Sequence, residues 1–174
     1  MGGGKVTVNR APVLTLWAAV VAERLGFDHE AALTLGKAVA GLNAQSKGRA
    51  LGIFRPAEAT GRAGGEKPHG EFHVELMGRT VRSVHADQGI RALDKDKAIA
   101  PAKVEAYLQS KFGETLPAVR QVMHELAATY GPEELEEEAF GLYERFRPVV
   151  APGTRGWGQA GELDIEAIRA LAKR

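Results

Sequence analysis

The chain has 174 residues and a formal net charge of +1, with 44% hydrophobic and 26% charged residues; it can bury a sizeable core, and its net charge is too small for strong steering by the molecule as a whole. It contains no cysteine, which excludes disulfides, Cys-ligated zinc, iron–sulfur clusters and thiol nucleophiles together and fits a reducing cytoplasm, the expected location. With 6% aromatic residues and 21 glycines, close-packed helices are expected rather than a large aromatic-rich sheet.

Met1-Gly-Gly-Gly reads as a disordered start, and Lys5–Asn9 alternates as KVTVN, a short strand and candidate third strand of a small sheet. The next segment, APVLTLWAAVVAERL over 11–25, is apolar on nearly every side, with Pro12 suited to a first helical turn. A helix without a polar face has to be surrounded, so this one is expected to be the most buried element. Lys5 and Arg10 ahead of the apolar 11–22 run resemble the opening of a secretory signal peptide. Glu23 and Arg24 end that run, and Leu25 and Phe27 carry its helical pattern onward. A retained helix is therefore the reading, and it is short of the roughly 20 apolar residues that cross a bilayer.

Gly26 marks the stop of the first helix and Asp28 the N-cap of a second that reaches about Ser46. On it Ala32, Leu35, Val39 and Leu42 form an inward stripe, and Ala32, Gly36 and Ala40 a small-residue strip that lets another helix approach closely. The register of Ala22–Phe27 also fits a DNA-binding helix-turn-helix, and with a hairpin downstream it resembles a winged helix. The opening of the recognition helix would then be Asp28, His29 and Glu30, with acids facing phosphate, so a plain antiparallel helical hairpin over 11–47 is preferred.

Residues 55–70, RPAEATGRAGGEKPHG, read as a mobile surface loop. Over 71–86 two alternating runs flank Gly78-Arg79 and predict a β-hairpin, with Phe72, Val74 and Leu76 on one face and Glu71, His73 and Glu75 on the other. A two-residue loop at Gly78-Arg79 would set Glu75 opposite Arg82 and send His73 and His85 to opposite faces, which spoils a shared metal site. From 101 to 174 the chain reads as helices: Pro101–Phe112, one opened by Thr115 and Pro117 that ends at Tyr130, Pro132–Phe146 with its Glu133–Glu138 cluster, and a last helix capped by Asp164 with Leu163 and Ile168 as hydrophobic staple. Between the last two, Gly153-Thr-Arg-Gly-Trp-Gly158 reads as a segment in which Trp157 anchors the tail and Arg155 is exposed. The expected architecture is a single α+β, mainly helical domain over 1–174: a helical-hairpin core, a small antiparallel β-hairpin and C-terminal helices.

Charge is uneven along the chain. Residues 1–55 carry seven Lys/Arg against three acids, and residues 101–174 nine against twelve. Asn43-Ala-Gln-Ser-Lys-Gly-Arg49 places amides and two cations at a helix end, groups suited to phosphate oxygens. The expected function is a non-catalytic nucleic-acid-binding protein of bacterial type, its DNA- or RNA-facing surface built from Asn43, Gln45, Lys47, Arg49, Arg55, Arg79, Arg82 and Arg155. That reading requires the cations to converge. The alternative is a protein-interaction module whose Glu133–Glu138 face meets a partner. An enzyme comes third, because no nucleophile elbow, phosphate loop or metal-ligand spacing is present. No metal, cofactor or membrane contact is expected.

Overall fold

The computed structural model describes residues 5–50, 71–86, 89–94, 97–149 and 160–172, with the backbone alone over 44–50 and at Ala160. The protein is α+β and mainly helical, with two antiparallel sheets among the described residues. Strand β1 (Lys5–Asn9) leads directly into α1 (Arg10–Arg24), and α2 (His29–Ala50) follows after a four-residue connection. A sheet of β2 (Phe72–Leu76), β3 (Arg79–Ala86), β4 (Gly89–Asp94) and β5 (Lys97–Ala98) precedes α3 (Pro101–Phe112). A short 3₁₀ turn over Gly113–Thr115 joins α3 to α4 (Leu116–Ala128), followed by α5 (Pro132–Phe146), β6 (Ala160–Asp164) and α6 (Ile165–Leu171).

Every residue of α1 from Pro12 to Ala22 is buried, because α2, α3, α4, α5 and β1 all pack around it. Its tightest neighbour is α2. A Cβ on Gly36 would lie 2.4 Å from the Thr15 carbonyl oxygen and 2.9 Å from the Ala19 amide nitrogen, so the two backbones touch along the predicted small-residue strip. Gly36 lies about as far beyond the loop as Thr15 and Ala19 lie before it. Contact sustained that far from the turn means an antiparallel hairpin; the splayed pair of a helix-turn-helix meets only near its turn. Gly26 takes φ +115° in the connection, and the Asp28 carboxylate caps α2 by accepting from the Ala31 N–H at 2.9 Å. The helix continues to Ala50 rather than stopping near Ser46; Gly48 alone does not terminate it.

Three strand readings need correction. Lys5–Asn9 is a strand, but it pairs with β6, Lys5 opposite Asp164 and Asn9 opposite Ala160, and forms a separate two-stranded sheet. The sheet of the predicted hairpin gains β4 and β5 from residues to which the sequence reading assigns no element. The hairpin loop is Met77-Gly78 rather than Gly78-Arg79, with Leu76 opposite Arg79. Both loop residues have positive φ, +53° and +79°, as the type I′ turn favoured by twisted hairpins requires, and glycine serves best at its second position. This moves the pairing by two residues and so preserves the faces. Val74, Leu76, Val81 and Ser83 are buried while Glu75 lies opposite Thr80, whose hydroxyl donates to its carboxylate at 2.6 Å.

The sheet docks on α2 through its inward face. Thr34, fully buried, donates its hydroxyl hydrogen to the Ala31 carbonyl at 2.8 Å and accepts the Ala92 N–H at 3.0 Å, which ties β4 to the helix. Farther along, α4 begins at Leu116 after Thr115, but the Thr115 hydroxyl turns back to the Phe112 carbonyl at 2.7 Å instead of capping the new helix. Helix α6 is capped as expected, Asp164 accepting from Glu166 and Ala167 N–H groups, with Leu163 and Ile168 both fully buried beside it.

Candidate functional site

Of the eight residues expected to face phosphate, three have described side chains. Asn43 is 5% exposed, and its amide oxygen accepts from Arg79 Nη2 at 3.0 Å, a clamp between α2 and β3. Arg82 instead holds Glu71 in a two-point pair, Nε to Oε2 at 2.7 Å and Nη2 to Oε1 at 3.2 Å. Because 79 and 82 differ by an odd number, the two arginines leave β3 on opposite faces. The structure thus brings Asn43 and Arg79 together and keeps Arg82 apart. The side chains of Gln45, Lys47 and Arg49, and all of Arg55, Arg155 and Trp157, lie outside the described residues, as does the 55–70 loop.

A different set of cations does converge. Lys37 of α2, Lys97 of β5 and Lys103 of α3 line one open groove of about 570 Å³, together with Asp94 of β4 and the apolar residues Ala98, Ile99 and Val104. The groove forms because β5 ends after two residues: the Ile99 N–H closes on the Ala92 carbonyl at 2.9 Å, and Pro101 at once starts α3. Ile99 and Ala100 therefore bridge the sheet and the helix, and both line the groove. Lys37 Nζ sits 4.0 Å above the centre of the Tyr107 ring, with Lys111 Nζ at 6.0 Å from the same ring, so two cations share one aromatic ring.

Among the described residues none of these four lysines forms an ion pair, whereas Arg82, Arg91 and Arg120 hold Glu71, Glu30 and Glu105. Burial lowers the Lys37 ammonium below the usual lysine range, Asp94 partly restores it, and Lys111 depresses it further. Burial likewise raises the Tyr107 hydroxyl above its ordinary value. An anion placed in the groove would oppose the first and third effects on Lys37, because it favours the charged ammonium. Three lysines against Asp94 leave the lining electropositive.

Elsewhere the titratable groups serve structure. Glu23 accepts from or pairs with His29 at 2.7 Å and faces His124 at 3.9 Å, and among the described residues no group of three His, Asp or Glu is placed to hold a metal ion. His73 lies opposite Arg82 while His85 stacks on Phe72, ring centres 4.5 Å apart, on the other face. In the acidic cluster Glu133, Glu134, Glu137 and Glu138 are exposed, but Glu136 turns toward the hairpin tip. Its Oε1 is buried without a hydrogen-bond partner. Burial raises its carboxyl above the ordinary range, the Met77 N–H pulls the other way, and the charge of Glu75 adds to the rise.

The sign of that shift gives a prediction. A carboxyl whose folded pKa is raised favours the fold at pH values below the ordinary glutamate range and loses that contribution as pH rises through the raised value. Glu136→Gln removes the ionisation while its amide oxygen still accepts from Met77. Its urea midpoint is expected to exceed that of the unsubstituted protein at pH 7 and to match it at pH 4; a lower midpoint at pH 7 alone would show that the charged carboxylate stabilises the turn.

Among the described residues no helix is long and apolar enough to cross a membrane. Comparison with protein-family models, with curated proteins and with solved structures finds no match for this chain. The groove lysines were missed by sequence reasoning for an identifiable reason. Lys37 is a single cation inside ALTLGKAVAGL, and Lys97 and Lys103 lie in a stretch with equal numbers of acids and bases nearby, so only tertiary packing assembles them.

Proposed function

We propose that the protein is a non-catalytic nucleic-acid-binding protein whose phosphate-binding surface is the lysine groove between α2, β5 and α3. The observation that carries this reading is the convergence of Lys37, Lys97 and Lys103 on one 570 Å³ groove with no ion pair among the described residues to neutralise them. Lysine ammoniums are point charges suited to a flexible phosphate backbone, and each contact releases a counterion. Arg79 and Arg82 are not among the residues that line this groove; they donate instead to Asn43 and Glu71.

The test is fluorescence anisotropy with a labelled 12-nucleotide oligo(dT) over a range of salt concentrations. Three lysine contacts predict that log Kobs falls against log salt with a slope of about −2, and Lys103→Gln should reduce the magnitude of that slope by about 0.7. No binding at low salt, or equal binding of poly-glutamate of matched charge, would overturn the reading.

A further inference from the structure

We infer that the groove selects single-stranded over duplex nucleic acid, one unpaired base resting on the apolar Ile99 side chain while Lys37, Lys97 and Lys103 hold the adjoining phosphates. The inference rests on the function proposed above and adds the class of nucleic acid.

Its basis is the composition of the groove. Duplex backbone presents phosphate and sugar, with the faces of its bases stacked inside, and needs only charge and hydrogen-bond donors. This groove combines charge with apolar surface: three lysines and Ala98, Ile99 and Val104 share its lining, and of the three apolar residues Ile99 is half-buried and Val104 buried. Ile99 packs on the core at its inner edge, so this surface is firm while its outer side stays open. An apolar concavity lined by cations matches an unpaired nucleotide, which offers an apolar ring face and an anionic phosphate within one residue length. The volume, about 570 Å³, falls within the range of pockets that enclose a small organic group. Asp94 in the lining disfavours a second phosphate there, which limits the groove to a short stretch of strand.

The experiment compares oligo(dT) of 12 nucleotides with a 12-base-pair duplex at one low salt concentration. The intact protein should bind the single strand about tenfold more tightly, the effect of removing roughly 50 Å² of apolar surface from water when one base rests on an aliphatic side chain. Ile99→Ala should remove most of that preference and leave duplex affinity unchanged. Should Ile99→Ala disturb the fold, Ile99→Thr keeps a β-branched side chain at this half-buried position while making the surface under the base polar, and should reduce the preference likewise. Equal affinity for the two nucleic acids, or a preference that survives both substitutions, would overturn this inference and leave phosphate binding standing. Absence of binding to either would overturn both.

Discussion

Gly36→Ala is expected to destabilise the protein by about 2–3 kcal/mol, although alanine is the better helix former. Two effects compete. In an open helix interior the change would stabilise by about 1 kcal/mol through propensity and the lower entropy of the unfolded chain. At position 36 the added methyl would lie 2.4 Å from the Thr15 oxygen, 2.9 Å from the Ala19 nitrogen and 3.2 Å from the Ala19 Cβ. Two of those three are backbone atoms of a helix packed on all sides, so they cannot rotate away as a side chain would. The helices must separate, and every apolar contact along the α1–α2 seam loosens with them.

Gly41 supplies the control, since it lies on the same helix and a Cβ there meets nothing within 4 Å. Gly41→Ala should therefore raise stability by about 0.5–1 kcal/mol. Urea unfolding followed by circular dichroism measures both. A stabilising Gly36→Ala would mean that α1 and α2 do not pack at backbone distance, and the helical hairpin as described would be wrong.

That close approach was legible because it depends on local chemistry. Ala32, Gly36 and Ala40 recur at four-residue spacing, which sets them on one helical face, and the apolar 11–22 run left α1 no side to expose. Helix limits set by Pro101, Pro132, Gly113 and Asp164 were legible for the same reason: each residue constrains its own backbone. What escaped was long-range pairing. Nothing near Lys5–Asn9 announces that its partner is β6, more than 150 residues away. Strand β4 hid because Arg91 breaks its apolar pattern, and this residue, only 5% exposed, is accommodated by pairing with Glu30 on α2 at 3.0 Å. The turn was displaced by one residue because Met77, a poor candidate for positive φ, is held there by burial in the core.

The candidate site follows the same division. Residue types near Asn43 suggested a phosphate surface, but a cation's role is decided by whether a carboxylate or carbonyl reaches it first. Arg24 donates to the Tyr130 carbonyl at 2.7 Å, Arg10 to that of Pro148 at 2.9 Å, and Arg82 to Glu71. These arginines fasten the fold. The groove lysines come from three elements separated by up to sixty-six positions, Lys37 to Lys103, and no local pattern could have grouped them.

Trp17→Ala is expected to cost about 3–5 kcal/mol, the usual loss for a fully buried aromatic. Trp17 has no exposed surface, its ring meets Phe146 edge-on at 5.3 Å between centres, and its Nε1–H donates to the Ala139 carbonyl at 2.9 Å. It thereby joins α1 to α5 by both volume and a hydrogen bond, and Trp17→Phe separates the two. Phenylalanine retains most of the ring against Phe146 and lacks the indole donor, so its cost should be about 1–2 kcal/mol. If the two variants lose the same amount, the hydrogen bond dominates; if Trp17→Ala costs under about 1 kcal/mol, the placement of α1 at the centre of the core is wrong. The contact lies on the α5 side of α1, whereas the lysine groove is built from α2, β5 and α3. Trp17→Phe should accordingly bind oligo(dT) with the affinity and salt slope of the unsubstituted protein, since a local loss of α5 packing leaves Lys37, Lys97 and Lys103 in place.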